Sequence, residues 1–239
     1  MERKSIEKIL LVLVILLALS TALMIYLSDA RSVSFDRNLY TEGFQKYDIQ
    51  ASFNSSVDLM NETGFLLNYL ESGEGAIQSD FFNEREKSHL VDVRGLYKDI
   101  ILANKIAAYS SMVLLVLLVY FYKRLAAHMT DAEQNEKYKH LLSSLLIYTG
   151  AIVDVVAVLF VIVAITFDTS FITFHQIFFT SDTWMLNPET DNLIRMFPEG
   201  FFYDMFIRII LMSIVFATLL LVIGFVMRLG MPKLWKKKQ

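Results

Sequence analysis

Residues 82–122 read FNEREKSHLVDVRGLYKDIILANKIAAYSSMVLLVLLVYFY. From Ile106 to Tyr122 the run carries no charge, and Ile100 to Asn104 extends it toward its start. A bilayer core demands about 20 apolar residues in a helix, because every backbone polar group must be paired inside the segment. The first part of the stretch has the opposite character. Asn83 followed by Glu86 is an N-cap with an acid three residues on, which predicts a helix start. That helix should run through Arg85, His89, Asp92, Val93 and Leu96 straight into the apolar segment. A side chain on such a helix is held at a fixed depth. Glu86, His89 and Asp92 are three apart and share a face. A carboxylate there can hold one imidazole nitrogen and leave the other for chemistry.

Three more apolar blocks lie at about Ile9–Leu27, Leu141–Thr166 and Phe206–Met227. Hydrophobic residues make up 55% of the 239-residue chain and are gathered into these blocks. The expected fold is an α-helical integral membrane protein, a bundle of four transmembrane helices with a small mixed cap outside. The expected division is 1–27 (first span), 28–105 (cap loop with the His89 helix), 106–122 (second span), 123–140 (cytoplasmic turn), 141–166 (third span), 167–205 (aromatic outer loop with His175) and 206–239 (fourth span and basic tail). The first block exceeds a signal-peptide core and lacks a clear small-residue cleavage pattern, so it reads as a retained helix.

Charge sets the orientation. Arg3, Lys4 and Lys8, then Lys123, Arg124, Lys137 and Lys139, then Arg228, Lys233, Lys236, Lys237 and Lys238 all fall on one side. By the positive-inside rule that side is the cytoplasm, with both termini. The other two loops hold 19 of the 25 carboxylates and face out. The cytoplasmic parts are too short to fold a domain, so function should live in the outer loops or the bundle.

The first outer loop is too long for a mere connection. Arg31–Phe53 alternates weakly and predicts short strands, and Asn54–Leu70 predicts a helix ended by Gly73 and Gly75. In the second outer loop, Phe171, Phe174, His175 and Phe178 follow helical spacing at the interface. Asn187-Pro188 predicts a further short helix carrying Asp191 and Arg195, and Pro198 the start of the last long one.

The chain has no cysteine, which excludes disulfides and thiol nucleophiles. It has no zinc-protease motif, nucleophile elbow or phosphate-binding loop. Of its four histidines, His128 and His140 sit in the cytoplasmic turn, whereas His89 and His175 both lie outside near the membrane surface. They are either unrelated surface residues or a pair that meets. With a carboxylate they could in principle hold a metal, but the spacing is not diagnostic, and neither metal nor cofactor is expected. Asp154, in the middle of the third span, is either a polar lock with Ser143, Ser144, Tyr148 or Thr149, or functional. Arg94, Arg85 and Arg195 could bind headgroups or carboxylates, and Tyr97 and Trp184 read as interfacial anchors.

Two stretches carry a resemblance: FNEREKSHLVDVR at 82–94, and FHQIFF at 174–179 followed by Trp184, Asn187-Pro188-Glu189-Thr190-Asp191 and Pro198. With four spans of this topology, the chain resembles the lipoprotein intramolecular transacylases of Gram-positive bacteria along essentially its whole length. The resemblance implies an acyltransferase of the cell membrane. Its substrates would be lipoproteins whose N-terminal cysteine carries a diacylglyceryl thioether, and the sn-2 acyl chain would move from glycerol to the cysteine α-amino group. It implies His89 and His175 as the catalytic pair. Asp92, Arg94, Glu86, Tyr97, Trp184 and Asp191 would support them or position substrate, with Asp92 orienting His89 and Arg94 facing the oxyanion or a lipid group.

The chemistry fits the residue types. An imidazole can take the proton of an α-amine as it attacks, and a second can donate to the leaving glycerol oxygen. No enzyme nucleophile is needed when nucleophile and ester belong to one molecule. The expected partners are diacylglyceryl-modified lipoproteins and membrane phospholipid, with no nucleic acid. Two other readings stand beside this one: a non-catalytic membrane sensor or assembly factor, and a membrane metallohydrolase.

Overall fold

The computed structural model describes residues 2–72 and 75–230. Its α-helices are α1 (Arg3–Ser34), α2 (Arg37–Lys46), α3 (Leu59–Ser72), α4 (Glu84–Ala126), α5 (Asp131–Ile165), α6 (Phe167–Phe178), α7 (Asn192–Met196) and α8 (Glu199–Leu229). Single 3₁₀ turns lie at Ile49–Ser52 and Asp182–Trp184. Helices α1, α4, α5 and α8 are long and apolar enough to cross a membrane. At 1.5 Å per residue the 43 residues of α4 span about 65 Å, roughly twice a hydrocarbon core. The helix is therefore long enough to carry its polar turns, Glu84 to about Asp99, in addition to an apolar segment of spanning length.

The chain forms two compact units, each drawing on all four long helices. One comprises, among the described residues, 2–28, 103–159 and 211–230. Ile6, Leu10, Leu13, Val14 and Leu17 of α1 pack with Leu118 and Leu125 of α4 and Leu141 of α5. The opposite faces leave Leu19, Val113, Val116, Val155 and Val215 outward, which suits lipid as solvent. Without a hydrophobic driving force between helices in lipid, close backbone approach and polar ties carry the packing. Ser20 Oγ donates to the Ala107 carbonyl at 2.9 Å, and Tyr26 donates to the Val153 carbonyl at 2.7 Å. A Cβ on Gly150 would stand 2.7 Å from the Ala217 carbonyl and 2.8 Å from Leu221. Backbone cannot yield there unless α5 and α8 part. Gly150→Ala is therefore expected to cost about 1–3 kcal/mol, seen as a lower melting temperature in detergent.

The expected lock on Asp154 is not formed by its serines. Ser143 donates to the His140 carbonyl, Ser144 takes a bond from Arg228, and Asp154 Oδ1 is buried with no hydrogen-bond partner among the described residues.

The other unit comprises residues 29–102 and 160–210. Here the mixed cap expected from sequence is corrected: its regular elements are α-helices and 3₁₀ turns, and its described residues form no strand. The Arg31–Phe53 segment becomes the end of α1, then α2 and a 3₁₀ turn. Asp36 caps α2 by accepting from the Asn38 amide at 3.1 Å. Tyr40 and Phe44, four apart, then face one core, so the helical period overrides the weak alternation. Helix α3 begins at Leu59, not Asn54, because the Asn54 side chain closes a turn onto the Ser56 amide while Asp58 accepts from Asn61. It ends at Ser72, and the expected stop at Gly73 falls outside the described residues. So do Lys233, Lys236, Lys237 and Lys238 of the basic tail.

The core of this unit joins Tyr40, Phe44, Leu66, Leu70, Phe82, Leu90, Leu193, Met196, Phe197 and Phe201. Gly43 lets α2 meet α8: a Cβ there would lie 2.5 Å from the Phe201 ring. Gly43→Ala should displace Phe201 and cost about 1–3 kcal/mol, read by thermal melting.

Candidate active site

The capping box predicted at Asn83 is present. Asn83 Oδ1 accepts from the Glu86 amide at 3.0 Å, and Glu86 Oε2 accepts from the Asn83 amide at 2.6 Å. Glu86 does more than cap. It is fully buried, and its Oε1 accepts from the Leu193 amide at 2.5 Å. Asp191, which precedes α7, accepts from Asn83 Nδ2 at 2.9 Å and from the Asn187 amide at 2.7 Å. Asn192 Nδ2 donates to the Phe81 carbonyl at 2.6 Å. Residues 81–86 and 187–193 are thus laced by polar bonds, most of them partly buried and the one to Leu193 fully so. Burial raises the Glu86 carboxyl, with its backbone donors opposing, and the Asn187 amide lowers Asp191. Asp191 stands at the N-cap position of α7 without a side-chain bond to it, and the helix is shorter and later than one opening at Asn187-Pro188.

One turn beyond Glu86, α4 presents His89, only 6% exposed. Helix α6, whose register is as the sequence predicts, presents His175. The rings lie 6.1 Å apart between centroids, at 33°. Of the two readings of these histidines, the structure has the pair that meets. His175 Nδ1 sits 2.7 Å from the Phe171 carbonyl. A carbonyl only accepts, so in the neutral ring the proton is on Nδ1 and the Nε2 lone pair is free. His89 Nδ1 is buried with no hydrogen-bond partner among the described residues. Phe179 stands edge-on to His89 at 5.0 Å, while Phe171 (4.4 Å) and Trp184 (5.1 Å) approach the His175 ring.

Both imidazoles open on an apolar cavity of about 460 Å³, walled by residues that include Phe174, Phe197, Phe201 and Met205. Burial, then the neighbouring His175, push the His89 pKa down to about 4 against the pull of Asp92. Burial also lowers His175, opposed by the bond to Phe171. Both rings are therefore neutral near pH 7.

Several supporting residues do other than expected. Asp92 accepts from Ser181 and Thr183 and so does not orient His89 by a hydrogen bond. Arg94 donates to the Gly75 carbonyl at 2.8 Å and lies over the Tyr69 ring, so it braces the cap instead of facing an oxyanion. Arg195 donates to the Ser52 carbonyl and stacks on Phe53. Tyr97 lines the cavity and packs edge-on to Phe35 at 5.3 Å. Among the described residues no three His, Asp or Glu side chains gather as metal ligands. Sequence reasoning missed Arg31, Ser34 and Tyr40 as cavity residues. It read their segment as strands, and nothing in its spacing marks a cavity wall.

The family model described as "Lipoprotein intramolecular transacylase Lit" matches residues 9–202. The fold is similar to that of the membrane-integral Lit from Bacillus cereus solved in meso. That structure has 19% identity and a TM-score of 0.75, over 92% of this chain and 96% of the other. A variant of the Bacillus cereus protein with one histidine replaced by arginine gives 20% identity and a TM-score of 0.70, over 98% and 96%. A histidine-to-alanine variant gives 21% and 0.70, over 92% and 94%. A search of the curated proteins returns no match. With most of its length on the family model, and two imidazoles facing each other over an apolar cavity in a multi-pass membrane fold, the chain belongs to the lipoprotein intramolecular transacylases, which are acyltransferases.

Proposed function

We propose that the protein carries the sn-2 acyl chain of a diacylglyceryl-cysteine lipoprotein to the α-amino group of that cysteine, yielding a lyso-form, N-acylated lipoprotein. The observation that supports this reading best is the pair of neutral imidazoles, 6.1 Å apart, at an apolar cavity. The positive-inside distribution of Lys and Arg favours cytoplasmic termini and a site on the outer face. A substrate held in the outer leaflet by its acyl chains, among membrane phospholipid, presents its ester at headgroup depth. The capped, polar start of α4 is suited to hold His89 at that depth.

In this reading the amine attacks the ester carbonyl carbon while His175 Nε2, held unprotonated by the Nδ1 bond to Phe171, takes the amine proton. The new C–N bond forms, the tetrahedral intermediate collapses, and the glycerol C–O bond breaks. The glycerol oxygen leaves with a proton from His89, and the proton on His175 restores the pair. Atoms balance with no water and no co-reactant, because nucleophile and leaving group belong to one molecule. Proximity supplies the main gain. Glu86 and Asp191 lock the site's backbone, Trp184 packs on the His175 ring, and Tyr97 lines the cavity.

Substrate and product have equal mass. The test is therefore fragmentation mass spectrometry of a diacylglyceryl lipopeptide after exposure to the purified protein, combined with loss of its reactive amine. Unchanged amine and an unmodified fragment pattern would refute the reading.

The pH profile has a stated sign. The substrate α-amine protonates below about 7.7–8.0 and costs one decade of kcat/KM per pH unit. Imidazoles of ordinary pKa would add a further decade per unit below 6.5. Because both rings are lowered, with His89 at about 4, the slope should stay near one just below pH 6.5. A bend to two at 6.5 would contradict the neutral pair. Stability follows the same direction. The folded pKa of His89 lies below its unfolded value, so stability present above 6.5 is lost as pH falls toward 4.

A further inference from the structure

We propose that Asp92 is a positioning residue for His175, acting across the site through the segment Ser181–Trp184. The inference rests on the reading that His175 works in the reaction, but its geometry is independent of that reading. Asp92 Oδ2 accepts from Ser181 Oγ at 2.7 Å and from Thr183 Oγ1 at 3.2 Å, and the two hydroxyls lie 2.7 Å from each other. Two turns earlier on α4, Arg85 donates to the Asp182 carbonyl at 2.8 Å. A single helix therefore clips three successive residues, 181, 182 and 183, with an acid at one end and a base at the other. His89 stands between those two clips in the sequence.

The fourth residue of the segment is Trp184, whose ring lies 5.1 Å from His175 at 34°. On the His175 ring the indole joins Phe171, at 4.4 Å, as an aromatic neighbour. The bond from Nδ1 to the Phe171 carbonyl fixes one point of the imidazole. The flanking rings limit its remaining rotation and so aim Nε2. The segment's own backbone bonds are local: Met185 donates to Asp182 and Leu186 to Trp184. What ties it to α4 are side chains, and Asp92 supplies two of these bonds. Asp92 holds these hydroxyls and makes no hydrogen bond to His89, whose Nδ1 has no hydrogen-bond partner among the described residues.

The test separates action through the segment from action on His89. Asp92→Ala and the double variant Ser181→Ala/Thr183→Ala are compared singly and combined, with thermal melting to confirm folding. A misplacement near 1 Å can cost up to about 100-fold. Both variants should lower kcat by about 10- to 100-fold with KM little changed, and the combined variant should fall no further. Asp92→Asn keeps an accepting oxygen and should recover part of the loss.

A second readout does not depend on activity. The chain has two tryptophans, Trp184 and Trp235. In a Trp235→Phe background, emission therefore reports Trp184 alone. The clasp variants should shift that emission to the red and raise its quenching by acrylamide. If Asp92→Ala slows the reaction while the hydroxyl variant leaves both kcat and emission unchanged, the proposal fails. Unchanged emission in Asp92→Ala fails it too. Should His175 prove dispensable for activity, the emission change would persist. The proposed role of His175 would then fall, while the clasp would stand.

Discussion

Replacing His175 with alanine is expected to lower conversion of a diacylglyceryl lipopeptide by about 10²–10⁴-fold, with substrate affinity nearly unchanged. The ring is one of many side chains that line the cavity, so its loss removes little of the apolar surface that would hold acyl chains. What disappears is the one nitrogen whose protonation state the backbone sets. With Nδ1 committed to the Phe171 carbonyl, Nε2 is left as an acceptor, and that bond resists the tautomer flip that would make it a donor. His175→Gln offers an amide in the same space but no basic nitrogen, so it should be as inactive as alanine. His89→Ala should fall in the same range for a different reason, loss of the donor to the departing oxygen. The two losses should not add, because the groups act on one transition state. Fragmentation mass spectrometry of the lipopeptide, with free-amine labelling, measures all three variants. Normal turnover by either alanine variant would remove that residue from the chemistry.

Glu86→Ala is expected to destabilise the protein by about 2–5 kcal/mol. Both oxygens of this fully buried carboxylate accept backbone amides, from Asn83 and Leu193. Removing it strands the Leu193 N–H in a buried contact, costing about 1–3 kcal/mol, and the Asn83 N–H in a partly buried one. It also uncaps the end of α4 that carries His89. Glu86→Gln should not rescue. One amide NH₂ would have to replace an accepting oxygen and would face a backbone N–H donor to donor. A chain of this size loses roughly 2–4 °C of melting temperature per kcal/mol, so both variants should melt near 10 °C lower in detergent. Stability within a degree or two of wild type would mean that the lacing of residues 81–86 to 187–193 is not a structural tie. Acid should weaken the same tie. Asp191 has a lowered pKa, so its contribution is present above its unfolded value and is lost as pH falls through the folded one.

Residues that bond to near neighbours were readable in advance. The Asn83–Glu86 capping box, the unbroken run from His89 into the second span and the helical register of Phe171, Phe174, His175 and Phe178 each depend on spacings of three or four. The supporting residues were misread for the same reason. Local spacing put Asp92 and Glu86 beside His89, but helix neighbours compete with partners from elsewhere. Ser181 and Thr183 captured Asp92, and the Leu193 amide captured Glu86. The strands expected over Arg31–Phe53 failed because weak alternation carries less burial than the Tyr40–Phe44 helical face.

By itself the amino-acid sequence determined that four apolar stretches become helices and that a capped polar helix leads into the second. It also determined that basic residues gather on one side of the spans. Hydrocarbon leaves a backbone no other solution, and capping acts within one turn. Only the tertiary structure decided that His89 and His175, 86 positions apart in the chain, face one cavity. It also decided which carbonyl fixes a tautomer and which hydroxyls hold Asp92. Such contacts depend on packing between distant segments, and no spacing along the chain encodes the distance between two rings on different helices.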